Sequence, residues 1–88
     1  MPPQTLLIAD ATSQIRQRLR RDLEASGWSV IETESGSDAV ELATRHVPDL
    51  ILLDVSLAGA DSETVAWTLK WDPVTCAIPI VVLSTSDR

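Results

Sequence analysis

Two aspartates and a serine each stand directly behind a short apolar run. Leu6-Leu7-Ile8-Ala9 leads into Asp10, Leu50-Ile51-Leu52-Leu53 into Asp54, and Ile80-Val81-Val82-Leu83 into Ser84. An apolar run without polar alternation marks a parallel strand covered on both faces, whereas a strand with one wet face alternates. In open parallel sheets the functional groups gather just past the carboxyl ends of the strands. Three neighbouring strands of this kind would bring two carboxylates and a hydroxyl to one edge of a sheet, with Asp54 as the leading candidate. The plainer reading is that Asp10 and Asp54 cap whatever follows them, as aspartate commonly does. One pattern met three times favours the site.

Other chemistries lack their residues. A single cysteine, Cys76, excludes an internal disulfide and a CxxC metal site and fits a reducing compartment. His46 is the only histidine and has no Cys or second His at ligand spacing. Asp10 is not followed by a glycine-rich turn, so neither a dinucleotide fingerprint nor a P-loop is present. With 13 acidic residues against 7 Lys and Arg, the formal net charge of -6 argues against direct nucleic-acid binding. The start Met1-Pro2-Pro3-Gln4-Thr5 does not read as a signal peptide, and no apolar run approaches membrane-spanning length. A cytoplasmic protein is expected.

The elements that must position these groups follow from periodicity. The 88 residues, 44% of them hydrophobic, make one domain, residues 1–88, with a small and marginally stable core. Thr12 or Ser13 caps a predicted helix over about Gln14 to Ser26, with Ile15, Leu19 and Leu23 as its inward stripe and Gly27 as its stop. Arg16, Arg18, Arg20 and Arg21 on this helix read as a solvated face balanced by Asp22 and Glu24, with a docking surface for an acidic partner as the alternative. Trp28 to Glu32 is a more polar strand, expected at a sheet edge. A second helix runs over about Ser37 to His46, with Ala39, Val40, Ala43 and Val47 as its apolar side, and Pro48 separates it from the central strand. Asp61 or Ser62 caps a third helix through Trp71, which Asp72-Pro73 ends. Val65 and Leu69 face its core while Trp67 and Trp71, also four apart, face outward. Strands alternating with helices through short connections predict an α/β doubly wound parallel sheet with helices on both faces.

The same residues resemble the receiver domain of bacterial two-component response regulators along essentially the whole chain. The resemblance lies in Leu6-Leu7-Ile8-Ala9-Asp10, the Ser35-Gly36-Ser37-Asp38-Ala39 turn, Pro48-Asp49 through Asp54, Gly59 and Asp61, Leu69-Lys70 with Asp72-Pro73, and Ile78-Pro79 through Ser84. It implies a flavodoxin-like three-layer αβα fold with strand order 2-1-3-4 and then 5. It also implies phosphoryl transfer to Asp54 from a histidine kinase or a histidine phosphotransfer protein. A carboxylate attacking a group that is already negative needs a divalent cation. The resemblance assigns that Mg²⁺ to Asp10, Asp54 and the backbone carbonyl of Ser56, and phosphoryl sensing to Ser84 and Thr85.

The departures from the family pattern shape the expectations. Ala11 stands where receivers carry a second acid, so weaker Mg²⁺ binding is expected. Ala58, Ser62 and Thr85 stand where the family often has Pro, Gly and a small residue. The sequence reaches Arg88 without the fifth strand and its Lys, which reads as a receiver whose C-terminal part is missing. The competing reading is a pseudo-receiver that binds partners without being phosphorylated, and Ala11 is the residue that speaks for it. An aspartate-nucleophile phosphatase would need a general acid two residues after Asp54, where Ser56 stands. An enzyme in that sense is not expected, beyond a receiver's catalysis of its own phosphorylation and dephosphorylation. The apolar strand Ile80 to Leu83 and the pair Trp67 and Trp71 suggest an interface and a homodimer.

Overall fold

The computed structural model describes residues 4–54 and 62–83 of the chain. Within them the order is β1 (Thr5–Ala9), α1 (Ser13–Ala25), β2 (Ser29–Thr33), α2 (Gly36–His46), β3 (Leu50–Asp54), α3 (Ser62–Trp71) and β4 (Ile80–Leu83). The four strands form one sheet in the order β2-β1-β3-β4, and every pairing is parallel. This is the doubly wound 2-1-3-4 arrangement expected from the alternation. The apolar runs of β1 and β3 lie in the middle, and the more polar β2 lies at an edge.

Each face of the sheet has its own core. Leu7, Ile51 and Leu53 pack with Val65 and Leu69 of α3 and with Ala39 and Ala43 of α2. Side chains of the Leu and Val type that become this fully buried contribute roughly 1.5–3 kcal/mol each relative to exposure. The opposite face carries Leu6, Ile8 and Val30, against which Leu19, Leu23 and Trp28 pack. The stripe of α1 is only half-buried, and the helix contributes no fully buried residue.

Local chemistry sets the helix ends. α1 stops in a Schellman arrangement: Trp28 N–H donates to Leu23 O and Gly27 N–H to Glu24 O, both at 3.0 Å. Gly27 has φ +99°, and a Cβ there would meet nothing within 4 Å, so backbone conformation rather than space selects glycine. Ser35 caps α2 by accepting the Asp38 N–H, while Arg45 and His46 lie in its last turn. Val47 departs from its expected place on the apolar side of this helix. It occupies the C-cap in the left-handed region, φ 44°, and is 49% exposed. Leaving the helix there swings Val47 outward and lets Pro48 take the buried position behind it. On α3 the expected division holds, with Val65 and Leu69 buried and Trp67 and Trp71 exposed.

Candidate functional site

The strand register builds the site. Residues Leu6 to Ala9 of β1 lie beside Leu50 to Leu53 of β3 in step, so one further row sets Asp10 beside Asp54. Adjacent strands run about 4.8 Å apart, which leaves two carboxyl groups as direct neighbours. Leu83 of β4 stands on the other side of Asp54. Asp10 is 1% exposed and Asp54 0%. Two acids are therefore buried side by side at the carboxyl ends of the two central strands.

Asp10 is fastened at three of its four polar atoms. Its N–H donates to Thr33 O at 3.0 Å, its carbonyl accepts from Arg16 Nη1 at 2.6 Å, and its Oδ1 accepts the Thr12 N–H at 2.8 Å. That last bond caps the start of α1, where Thr12 makes no side-chain cap bond of its own. The capping reading of Asp10 thus accounts for one carboxylate oxygen only. Among the described residues Oδ2 is buried with no hydrogen-bond partner. A buried acceptor without a donor is costly, and it marks where a cation or a proton would be favourable.

Electrostatics agrees with that geometry. Burial raises the Asp10 carboxyl above its ordinary range; the Thr12 N–H opposes this, and the neighbouring Asp54 adds to it. Between two ionised carboxylates there is no donor, whereas a proton on Asp10 can be shared with Asp54. On β2, Glu32 is held below the ordinary range, first by its hydrogen bond from Arg20, against some burial, and then by Arg16.

The signs of these shifts give opposite pH dependences. The folded chain holds a proton on Asp10 after the unfolded chain has lost it, so this group lowers stability as pH rises from 3.8 through its raised folded value. Glu32 stabilises above 4.5, and that contribution is lost as pH falls through its lowered folded value. We predict that Asp10→Asn, which keeps an oxygen for the Thr12 N–H, melts higher than the parent at neutral pH. The gain should narrow as pH falls toward 3.8. Thermal melts across pH provide the check, and a gain independent of pH would contradict it.

The donor set fits a hard divalent cation in kind. It offers two carboxylates, one with an unpartnered oxygen, in a buried pair whose negative charge is costly. Ala11, next to Asp10 in the chain, has no side-chain oxygen to add to it. Among the described residues no group of three or more His, Cys, Asp and Glu is gathered for a metal. Ser56, Ser84 and Thr85, the other expected site residues, lie outside the described residues.

Glu32 was not among the candidate site residues, and Arg16, expected on a solvated face balanced by Asp22 and Glu24, instead has a side chain only 13% exposed and paired with Glu32. In the β1–β2 register Ile8 lies beside Glu32, so this carboxylate is on the α1 side of the edge strand. Arg16 Nε reaches its Oε1 at 3.0 Å and Arg20 Nη1 its Oε2 at 2.7 Å. Arg16 and Arg20 thus find their main partner on β2, although Arg20 also pairs with Glu24 at 3.2 Å. An acid on the inner face of a strand, preceded by two arginines four apart, was the available signal. Away from the acidic pair, Trp67 and Trp71 stack with ring centroids 5.9 Å apart and planes 7° apart. A shallow recess of about 250 Å³ is lined, among the described residues, by Ala66, Trp67 and Lys70 of the same helix.

Comparison with known proteins gives a consistent result. The family profile of the response regulator receiver domain matches residues 6–88. The polar-differentiation response regulator DivK of Brucella anthropi is 36% identical over 85 residues, which cover 96% of this chain and 68% of DivK. The response regulator PleD of Caulobacter vibrioides is 37% identical over 87 residues, covering 99% of this chain and 19% of PleD. Among solved structures, the N-terminal domain of a response regulator receiver protein from Methanoculleus marisnigri superposes with a TM-score of 0.88 at 30% identity, covering 96% of this chain and 68% of that one.

Proposed function

The chain belongs to the response regulator receiver domain family of two-component signalling systems, and from that premise we propose that Asp54 is its phosphoacceptor. The observation that carries the proposal is the buried pair of Asp10 and Asp54 at the ends of the central strands, with Asp10 Oδ2 left without a hydrogen-bond partner among the described residues. In the proposed reaction an Asp54 carboxylate oxygen forms a bond to phosphorus as the bond between phosphorus and the donor's imidazole nitrogen breaks. The electron pair of the broken bond leaves with the donor. The donor is a histidine kinase or a histidine phosphotransfer protein, and a cytoplasmic location belongs to the same proposal. The chain's own catalysis of its phosphorylation and dephosphorylation belongs to it as well.

Asp10 and Asp54 would hold Mg²⁺, with the Ser56 carbonyl as a third donor. Bound there, the cation would screen the negative charges of nucleophile and phosphoryl group. Ser84 and Thr85 follow β4 directly and are proposed to meet the phosphoryl group. The whole region 1–88 is proposed to act as one receiver unit. Intact mass after treatment with a small phosphodonor and Mg²⁺ tests the reading. Addition of one phosphoryl group per chain is expected, and no addition would leave the phosphorylation-independent pseudo-receiver, for which Ala11 speaks.

A second contact is proposed for α3. Trp67 and Trp71 are 58% and 74% exposed and already stacked, so little side-chain freedom remains to be lost when they are covered. Val81 and Val82 of β4 are also exposed. We predict that the 88-residue polypeptide self-associates through these groups and that Trp67→Ser with Trp71→Ser weakens the association. Sedimentation across a concentration series is the measurement, and a monomer at every concentration would refute it.

A further inference from the structure

Asp10 is held by three hydrogen bonds, and one of them comes from a side chain. Arg16 is only 13% exposed, and its guanidinium divides its donors between two places. Nε goes to Glu32 Oε1 at 3.0 Å and Nη1 to the Asp10 carbonyl at 2.6 Å, with Glu34 Oε2 at 4.0 Å from the same nitrogen. Pairing with Glu32 alone does not require the second bond, because Arg20 already holds the other Glu32 oxygen. Asp10 O belongs to the residue at which the chain leaves β1. A rigid fork that bridges this carbonyl to the neighbouring strand fixes the corner between β1 and α1.

Resting on the reading of Asp10 and Asp54 as a cation-holding pair, we infer that Arg16 is a positioning residue. It locks the Asp10 main chain so that Oδ2 is presented in the buried pair instead of turning out to solvent. Charge and geometry predict opposite effects here. A bare positive charge beside two carboxylates competes with a cation, so deleting it would tighten cation binding. Loss of positioning loosens the ligand and weakens binding, as losing outer contacts of metal ligands does.

The experiment uses the full chain, Mg²⁺ alone, and the variants Arg16→Met, Arg16→Lys and Arg20→Met. Lysine keeps the charge but cannot reproduce the planar fork. In calorimetric titration both Arg16 variants should bind Mg²⁺ roughly tenfold more weakly than the parent, while Arg20→Met should stay within about a factor of two. Binding by Arg16→Met as tight as the parent's, or tighter, overturns the inference. Amide exchange at Thr12, whose N–H is held by Asp10 Oδ1, provides a readout that needs no cation. It should accelerate in both Arg16 variants and not in Arg20→Met. If the parent itself binds no Mg²⁺, the cation reading of the pair fails. A selective acceleration at Thr12 then still supports positioning by Arg16, and unchanged exchange in Arg16→Met overturns it.

Discussion

Asp54→Asn is expected to abolish phosphate uptake completely while leaving the chain folded. The amide has nearly the shape of the carboxylate but offers no anionic oxygen to attack phosphorus. The substitution also removes a charge from a fully buried pair, where like charges raise each other's cost. Folding should therefore be maintained or improved. Asp49→Asn is the control, since Asp49 is exposed and sits just before β3, where its Oδ2 accepts the Thr5 N–H at 2.8 Å. Intact mass after exposure to a small phosphodonor and Mg²⁺ should show one added phosphoryl group in the Asp49 variant and none in the Asp54 variant. Phosphate retained by Asp54→Asn would assign the acceptor elsewhere.

Ala11→Asp should tighten Mg²⁺ binding by roughly tenfold or more, because a third carboxylate beside Asp10 adds a hard oxygen ligand to the pair. The same substitution should destabilise the cation-free chain. Ala11 is half-buried and follows the buried Asp10 directly, so a third carboxylate there adds negative charge next to the acidic pair. The two effects separate in melting curves: the variant should melt below the parent without Mg²⁺ and gain more than the parent when it is added. At a cation concentration 100 times the dissociation constant, binding to the folded state alone stabilises by about 2.7 kcal/mol. Unchanged affinity would mean that another group or a water molecule already fills the position beside Asp10.

Much of this architecture was legible in the chain because hydrophobic period is a strong signal. The run Leu50 to Leu53 could only be a strand covered on both sides, and it lies between β1 and β4 in the sheet. The convergence of Asp10 and Asp54 followed from parallel strands of similar length, and the register bears it out. What escaped depended on contacts between elements. Nothing local assigns Arg16 to the Asp10 carbonyl or Glu32 to two arginines of α1, because both bonds depend on how that helix lies across β2. Val47 was misplaced because apolar character alone does not show that the chain leaves the helix at that residue. The half-buried stripe of α1 is a quantity rather than a pattern, and spacing does not encode it.

The stacked tryptophans also have an optical consequence. The sequence holds three Trp, no Tyr and no Phe, so near-ultraviolet absorption and emission above the peptide bands come from three indoles. Trp67 and Trp71, nearly parallel at 5.9 Å, are close enough for their transitions to couple and to contribute to the circular dichroism of the folded chain. Trp28 is apart from them, half-buried with Leu6, Ile8 and Val30 beneath α1. With Trp67 and Trp71 replaced, the remaining fluorophore would report solely on the layer that carries Arg16, leaving the opposite layer dark.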